Sequence, residues 1–268
     1  MDKVIRTKNI TTGLLFYLPI LLKDNYDTID MKTTRASMSL KDFQPKADAP
    51  PVKVLRDAET IILGKANLHE LALEGISVSS YAGQTLNPHD LTRTPGGSSG
   101  GTGAAIAASF AVFGTGTDTV YQLVEESRPI GRSLEDGATA LTVMANIGYD
   151  PRDNTTALVP KSVVVEGFFN RTVDPETTPV NNAMDAMVSK LRASGATVVS
   201  ISEQIYNSST ISGNLDVQKF KFRELMDLYL QGESLGGSHP SSLSELYSSG
   251  NYLVIPSQHS YVNIAFVS

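Results

Sequence analysis

The 268-residue sequence contains no cysteine. That single absence excludes disulfides, thiolate nucleophiles and cysteine-ligated zinc, and it leans towards an intracellular setting. Histidine is scarce as well. His69, His89, His239 and His259 fall in no H-x-x-x-H or H-E-x-x-H spacing, so no metal or other cofactor is expected. Positive charge is not in excess: the net charge is −6. A basic footprint for nucleic acid is therefore missing, and small neutral or polar partners are expected instead.

Long apolar runs are missing too. A spanning helix needs about 20 apolar residues, and "GLLFYLPILL" supplies roughly half of that before "KDN", with Pro19 inside it. Lys3, Arg6 and Lys8 ahead of this run imitate a signal peptide, but no small-residue cleavage site follows. The run is predicted to be a buried strand ending in a polar loop, with no membrane contact and a cytoplasmic location. Neither internal repeats nor low-complexity tracts are present.

What is there reads as a globular chain. Hydrophobic residues make up 41% and charged residues 19%, enough apolar material for a sizeable core. "LPILL" is a continuous apolar run of strand length, "VKVLRDAET" a short helix and "IILG" a buried strand. "NLHELALEG" predicts a helix with Asn67 as N-cap and Glu70 completing a capping box, stopped by Gly75. Residues 79–101 read as one long ordered loop, followed by a helix in "TGAAIAASFAVFG". "RSLEDGATALTVMANIG" predicts a helix capped by Ser133, with Glu135 and Asp136 placed well for its dipole. Beyond "SVVVEG", a strand, a helix with Val180, Ala183, Met184, Met187 and Leu191 on one face leads into the strand "ATVVSI". Residues 215–231 and "SSLSEL" predict two more helices, the second with Ser242 and Glu245 spaced for a capping box. Helices alternating with buried strands imply an α/β fold with a parallel or mixed sheet, treated as one domain over residues 1–268.

The densest chemical signal is "RTPGGSSGGTGAAIAAS", residues 93–109. Glycines around two serines just before a helix crowd backbone N–H groups and hydroxyls together, as an anion cradle would. A Walker A loop is excluded because Thr102 follows Gly101 where Lys belongs. The dinucleotide fingerprint is excluded because Ile106 stands at its third small position. The other reading is hydroxyl nucleophilic catalysis with a lysine base. Burial disfavours an ammonium, so a desolvated lysine can accept a serine proton. Lys23, at the end of "LPILLK", is the candidate, against the plain alternative of a solvated surface charge.

These segments together resemble the amidase signature family of serine-dependent amide hydrolases. "LPILLKDNYDT" is similar to its lysine motif, "ILGKANLHELA" to the strand that follows, and "GQTLNPHDLTRTPGGSSGGTGAAIAA" to its Gly-Ser signature. "RPIGRSLEDGATAL" and "DPRD" resemble later landmarks, and the likeness runs over about residues 14–200. The resemblance implies an amidase-like mixed sheet covered by helices, and hydrolysis of a carboxamide through an acyl-serine. It implies Lys23 as base and Ser98, held by a cis peptide bond, as the serine that relays basicity to the nucleophile. Gly97 and Ser99 flank it as substrate-binding positions, no cofactor is needed, and the partner is a small amide.

The resemblance also has a break. The family's "GTDTGGS" ends in its nucleophile, after two glycines of the oxyanion hole. Aligning "GTDT" puts Val120 and Tyr121 on those glycines and Gln122 on the nucleophile. Gln cannot form an acyl ester, and bulky side chains there keep a carbonyl oxygen from backbone donors. Only Leu123–Ser127 then precede "RPIGRS", where the family has a longer segment, which implies an internal deletion after Thr119. The family also extends further at both ends. Ser98, Ser99, Ser127 and Ser133 are the serines that could substitute, with Ser127 expected in a solvated turn. Three readings stay open: a shortened amidase of fungal type, some of which accompany secondary-metabolite pathways; an inactive remnant that binds a small amide or a protein; and the product of a mis-joined gene.

Overall fold

The computed structural model describes residues 13–73, 75–118, 126–147, 163–165, 171–175, 177–193, 198–203, 207, 217–233 and 235–253. Its centre is a four-stranded sheet. Strand β1 (Pro19–Lys23) is flanked by β2 (Ile61–Ala66) and β3 (Phe113–Asp118), both parallel to it. Strand β4 (Glu126–Gly131) closes the order β2-β1-β3-β4 and runs antiparallel to β3. The fold is α/β with a mixed sheet, in agreement with the sequence.

Sequence explains why β1 sits in the middle. Its apolar residues leave no polar face, and Ile20 and Leu22 are completely buried. On one side of the sheet, α1 (Pro50–Asp57) starts at Pro50 and Pro51, where a missing N–H costs nothing. Val52 and Leu55 of α1 join Ala140 and Met144 of α3 (Leu134–Met144) in one cluster with Ile20, Leu22 and Phe113. Ser133 caps α3 as its sequence predicts, accepting a hydrogen bond from the Asp136 amide.

On the other side lies α2 (Gly100–Ala107), made almost entirely of small residues. A Cβ at Gly101 would stand 2.1 Å from the Asn67 carbonyl oxygen, and one at Gly114 of β3 would stand 2.5 Å from Thr102. The helix can therefore press against the strands only with glycine at these places. It ends at Ala107, earlier than "TGAAIAASFAVFG" suggested, and Phe113–Gly114 belong to β3.

A second apolar cluster gathers Leu40, Phe43 and Leu71 with Met226 and Leu230 of α5 (Val217–Leu230) and Leu243 and Leu246 of α6 (Leu243–Ser248). Ser242 caps α6 through the Glu245 amide, while the Glu245 carboxylate turns back to the amide and hydroxyl of Ser241. Strands β5 (Val163–Val165) and β6 (Val199–Ile201) form a separate parallel pair, with α4 (Thr177–Ala193) between them in sequence.

Three expectations are corrected. The helix over "NLHELALEG" is a single 3-10 turn at Glu70–Ala72, with Leu71 and Ala72 at positive φ. Its capping box does not form: Asn67 donates to Thr85 Oγ1, and Glu70 accepts from the amides of Ser80 and Leu253. The inward face of α4 agrees with the sequence only in part: Met184, Met187 and Leu191 are half-buried beside buried Val188, but Val180 and Ala183 are exposed. Ser127 lies in β4 opposite Thr117 rather than in a solvated turn.

Candidate active site

The site forms where β1 ends. Lys23 is its last residue and is fully buried. The Lys23 amide donates to Thr115 Oγ1 at 3.0 Å, so the neighbouring strand β3 fixes its backbone. Its side chain then reaches two hydroxyls, with Nζ 2.8 Å from Ser98 Oγ and 2.6 Å from Thr117 Oγ1. Asn25 Nδ2 donates to the same Thr117 oxygen at 3.3 Å. The plain alternative for Lys23, a solvated surface charge, is thereby excluded.

Ser98 comes from the glycine-rich loop before α2, and the Gly97–Ser98 peptide bond is cis. Buried Ser77 organises this loop. Its hydroxyl donates to the Gly96 carbonyl at 2.7 Å and accepts from the Gly100 amide at 3.0 Å. Glycine is required around it, since a Cβ at Gly100 would lie 2.1 Å from Ser77 Oγ and one at Gly97 2.7 Å away. The Ser98 carbonyl is held by the His69 amide at 2.9 Å. Ser98 itself is half-buried beside exposed Gly97.

Ser99 faces β3, where its hydroxyl donates to the Thr117 carbonyl and accepts from the Thr117 amide, at 3.3 and 3.2 Å. It fastens the loop to the strand. Val120, Tyr121 and Gln122 lie outside the described residues, as do Thr119 and the deletion inferred after it. The strands on either side of that stretch are in register, Asp118 opposite Glu126. Ser133 is occupied as a helix cap.

Reasoning from sequence missed several of these residues. Thr117 stands in "GTGTDT", a motif that reads only as the approach to a nucleophile, yet its hydroxyl is the shorter contact of Lys23. Tyr26 stands in "KDNYDT", where nothing in the spacing marks it. Its hydroxyl meets the Gly116 carbonyl at 2.8 Å and Ser127 Oγ at 2.9 Å, tying the loop after β1 to β3 and β4. A second lysine, half-buried, carries no sequence signal either. Lys65 on β2 donates to the Tyr26 carbonyl at 2.6 Å and Thr33 Oγ1 at 3.0 Å, and pairs with Asp24 Oδ1 at 3.4 Å. Burial holds the Lys65 ammonium below its ordinary pKa, against the opposing pull of Asp24. Burial likewise raises the Asp24 carboxyl, although Lys65 and Thr34 counteract it.

A hollow of about 520 Å³ lies at the other end of the sheet, lined by Pro19, Phe110, Arg132 and Asp136 among others. Pro19 opens β1 and Lys23 closes it, so the hollow is separated from the lysine by about 13 Å of strand. It is not part of the site. Among the described residues, no group of three or more His, Asp or Glu side chains could hold a metal ion. No helix among them is long and apolar enough to cross a membrane.

Comparison with known proteins fits this arrangement. The family described as Amidase matches residues 2–120. A glutamyl-tRNA(Gln) amidotransferase subunit from Microcystis aeruginosa is 32% identical, over 88% of this chain and 60% of that protein. The corresponding subunit from Archaeoglobus fulgidus is 38% identical over 54% of this chain and 38% of its own length. Among solved structures, native peptide amidase from Stenotrophomonas maltophilia superposes with a TM-score of 0.71 at 25% identity, covering 96% of this chain and 62% of that one. An amidase family protein from Bacillus anthracis shares the fold, with a TM-score of 0.70 at 20% identity over 99% of this chain and 62% of its own. The chain belongs to the amidase signature family. It spans at most about 60% of the length of the curated relatives first matched.

Proposed function

We propose that this chain descends from carboxamide C–N hydrolases and keeps the proton-transfer half of their site, Lys23 with Ser98, without the usual nucleophile. The observation that carries the reading is the 2.8 Å contact between Lys23 Nζ, fully buried, and Ser98 Oγ. In this reading the Lys23 amine takes the Ser98 proton, and Ser98 passes its basicity to whatever occupies the next position. That position aligns with Gln122, whose carboxamide cannot form an ester with an acyl group. In a serine protease, loss of the nucleophile alone costs on the order of 10⁶ in turnover. The chain is then a pseudoenzyme towards amides. Its ligand class stays at the carboxamide, in keeping with the amide chemistry that peptide amidase and amidotransferase share by name.

The test is release of ammonia from a panel of primary carboxamides and peptide amides. The native chain is expected to show no turnover above its Lys23→Met variant. Steady turnover by the native chain that disappears in Gln122→Ala overturns the reading.

A further inference from the structure

Loss of the usual nucleophile leaves a base without its customary client, and the geometry shows which hydroxyl it now faces. We infer that Ser98 is itself an acylatable nucleophile, with Lys23 as its direct base, towards small activated esters such as aryl acetates. The inference rests on the reading of Lys23 and Ser98 as a proton-transfer pair and gives that pair a reaction of its own.

Hydrogen-bond direction supports it. Thr117 Oγ1 accepts from Asn25 Nδ2 at 3.3 Å and lies 2.6 Å from Lys23 Nζ, so the lysine amine can donate there. In its neutral form the Lys23 amine can then turn its lone pair to the Ser98 hydroxyl proton across 2.8 Å. Ser99 clamps both the amide and carbonyl of Thr117, which keeps this orienting hydroxyl in place. Exposure divides the roles suitably. Lys23 is sealed from solvent, whereas Ser98 is half-buried next to exposed Gly97, where a small acyl donor can approach.

The other serines near the sheet are differently engaged. Ser77 spans the Gly96 carbonyl and the Gly100 amide, Ser99 is bound to Thr117, and Ser133 caps a helix. Ser127 meets the Tyr26 hydroxyl. Among the described residues, Ser98 is the serine whose hydroxyl contacts a lysine amine.

The step balances within the pair. Lys23 Nζ takes the proton as Ser98 Oγ forms a bond to the acyl carbon. The carbon–oxygen bond to the aryl group breaks, the aryloxide departs, and Lys23 gives up its proton to the aryloxide or to solvent, which restores the neutral amine for deacylation. In deacylation a water molecule gives its proton to Lys23, attacks the acyl carbon, and Ser98 Oγ leaves with that proton. An aryloxide leaves without acid assistance, unlike the amine of a carboxamide. Val120 and Tyr121 align with the oxyanion glycines, and loss of an oxyanion donor costs about 10²–10³ in rate. Activated esters tolerate that loss far better than amides do.

The experiment treats the full native chain with p-nitrophenyl acetate, follows p-nitrophenolate release, and maps the acetyl group by peptide mass spectrometry. Acetylation concentrated on Ser98, rising with pH and lost when the chain is unfolded in urea, is expected. Lys23→Met should slow it by about 10²–10⁴-fold, and Ser98→Ala should abolish that adduct, while Ser127→Ala leaves it unchanged. Thermal melting checks that each variant folds. Acetyl groups found on other residues but not on Ser98 overturn the inference, as does Ser98 labelling equally fast in native and urea-unfolded chain. Either result leaves the amide reading standing, because that reading is decided by carboxamide turnover and the Gln122→Ala variant.

Discussion

Two lysines on neighbouring strands, one fully and one largely withdrawn from solvent, are held in opposite ways. Lys23 closes β1 and Lys65 lies on β2, with Leu22 paired to Lys65 and Lys23 to Ala66. One step out of register, their side chains leave opposite faces of the sheet. Lys65 is surrounded by acceptors. It meets a backbone carbonyl, a carboxylate, and the Thr33 hydroxyl, which itself donates to the Tyr26 carbonyl. Lys23 instead meets the hydroxyls of Ser98 and Thr117. A carbonyl or carboxylate can only accept, so these contacts of Lys65 all draw on its N–H groups and it serves as a strut. A hydroxyl can donate or accept, so these two contacts suit a charged or a neutral Lys23 amine. Burial is common to both, and the partners set the two apart: Lys65 is held as a strut, and Lys23 faces the hydroxyls that its proposed role as a base requires.

The sharpest way to break this comparison is to remove each charge in turn. Lys65→Met strands the Asp24 carboxylate, whose side chain is only 8% exposed. Urea unfolding should report a loss of about 3–5 kcal/mol, and a loss below about 1 kcal/mol would show that the pair is not a strut. Thr115→Val comes next, because it deprives the buried Lys23 amide of its acceptor. An unsatisfied buried N–H costs about 1–3 kcal/mol, measurable in the same way. Lys23→Met should cost less, about 0.5–1.5 kcal/mol, since it strands no opposite charge and half-buried Ser98 can find water. If its loss matches that of Lys65→Met, the two sites are not different in kind.

A buried carboxylate extends the contrast with the smallest effect. Glu70 accepts from two backbone amides, and burial raises its pKa above the ordinary 4.5 despite those bonds. The sign follows from the raised folded value. Its contribution is favourable below pH 4.5 and is lost as pH rises through the folded pKa. Glu70→Gln keeps an acceptor oxygen without the titration. The variant should therefore be relatively more stable at pH 7 than at pH 4, with a flatter stability profile between them. A parallel pair of melting curves across that range checks it, and an unchanged profile removes Glu70 as the cause.

Much of the framework was legible because it is local. The apolar run that became β1, the Ser133 and Ser242 caps, and the small residues of α2 each depend on neighbours within one or two turns. The failures were contests between local and distant partners. Asn67 and Glu70 have capping-box spacing, but Thr85, Ser80 and Leu253 compete for their side chains and win. Thr117 went unread as a partner of Lys23 because 94 residues separate them. Ser127, flanked by charged residues, looked solvated until β4 was laid against β3.

By itself, then, the sequence determined the alternation of helices and strands and the glycines around Ser98. Periodicity, caps and motif spacing are written along the chain, and they need no distant partner. Tertiary structure alone decided which partners meet each buried ionisable group: the hydroxyls of Ser98 and Thr117 for Lys23, Asp24 for Lys65, and two donating backbone amides for Glu70. A hydrogen bond acts over about 3 Å whatever the separation along the chain, so only folding brings those atoms within range.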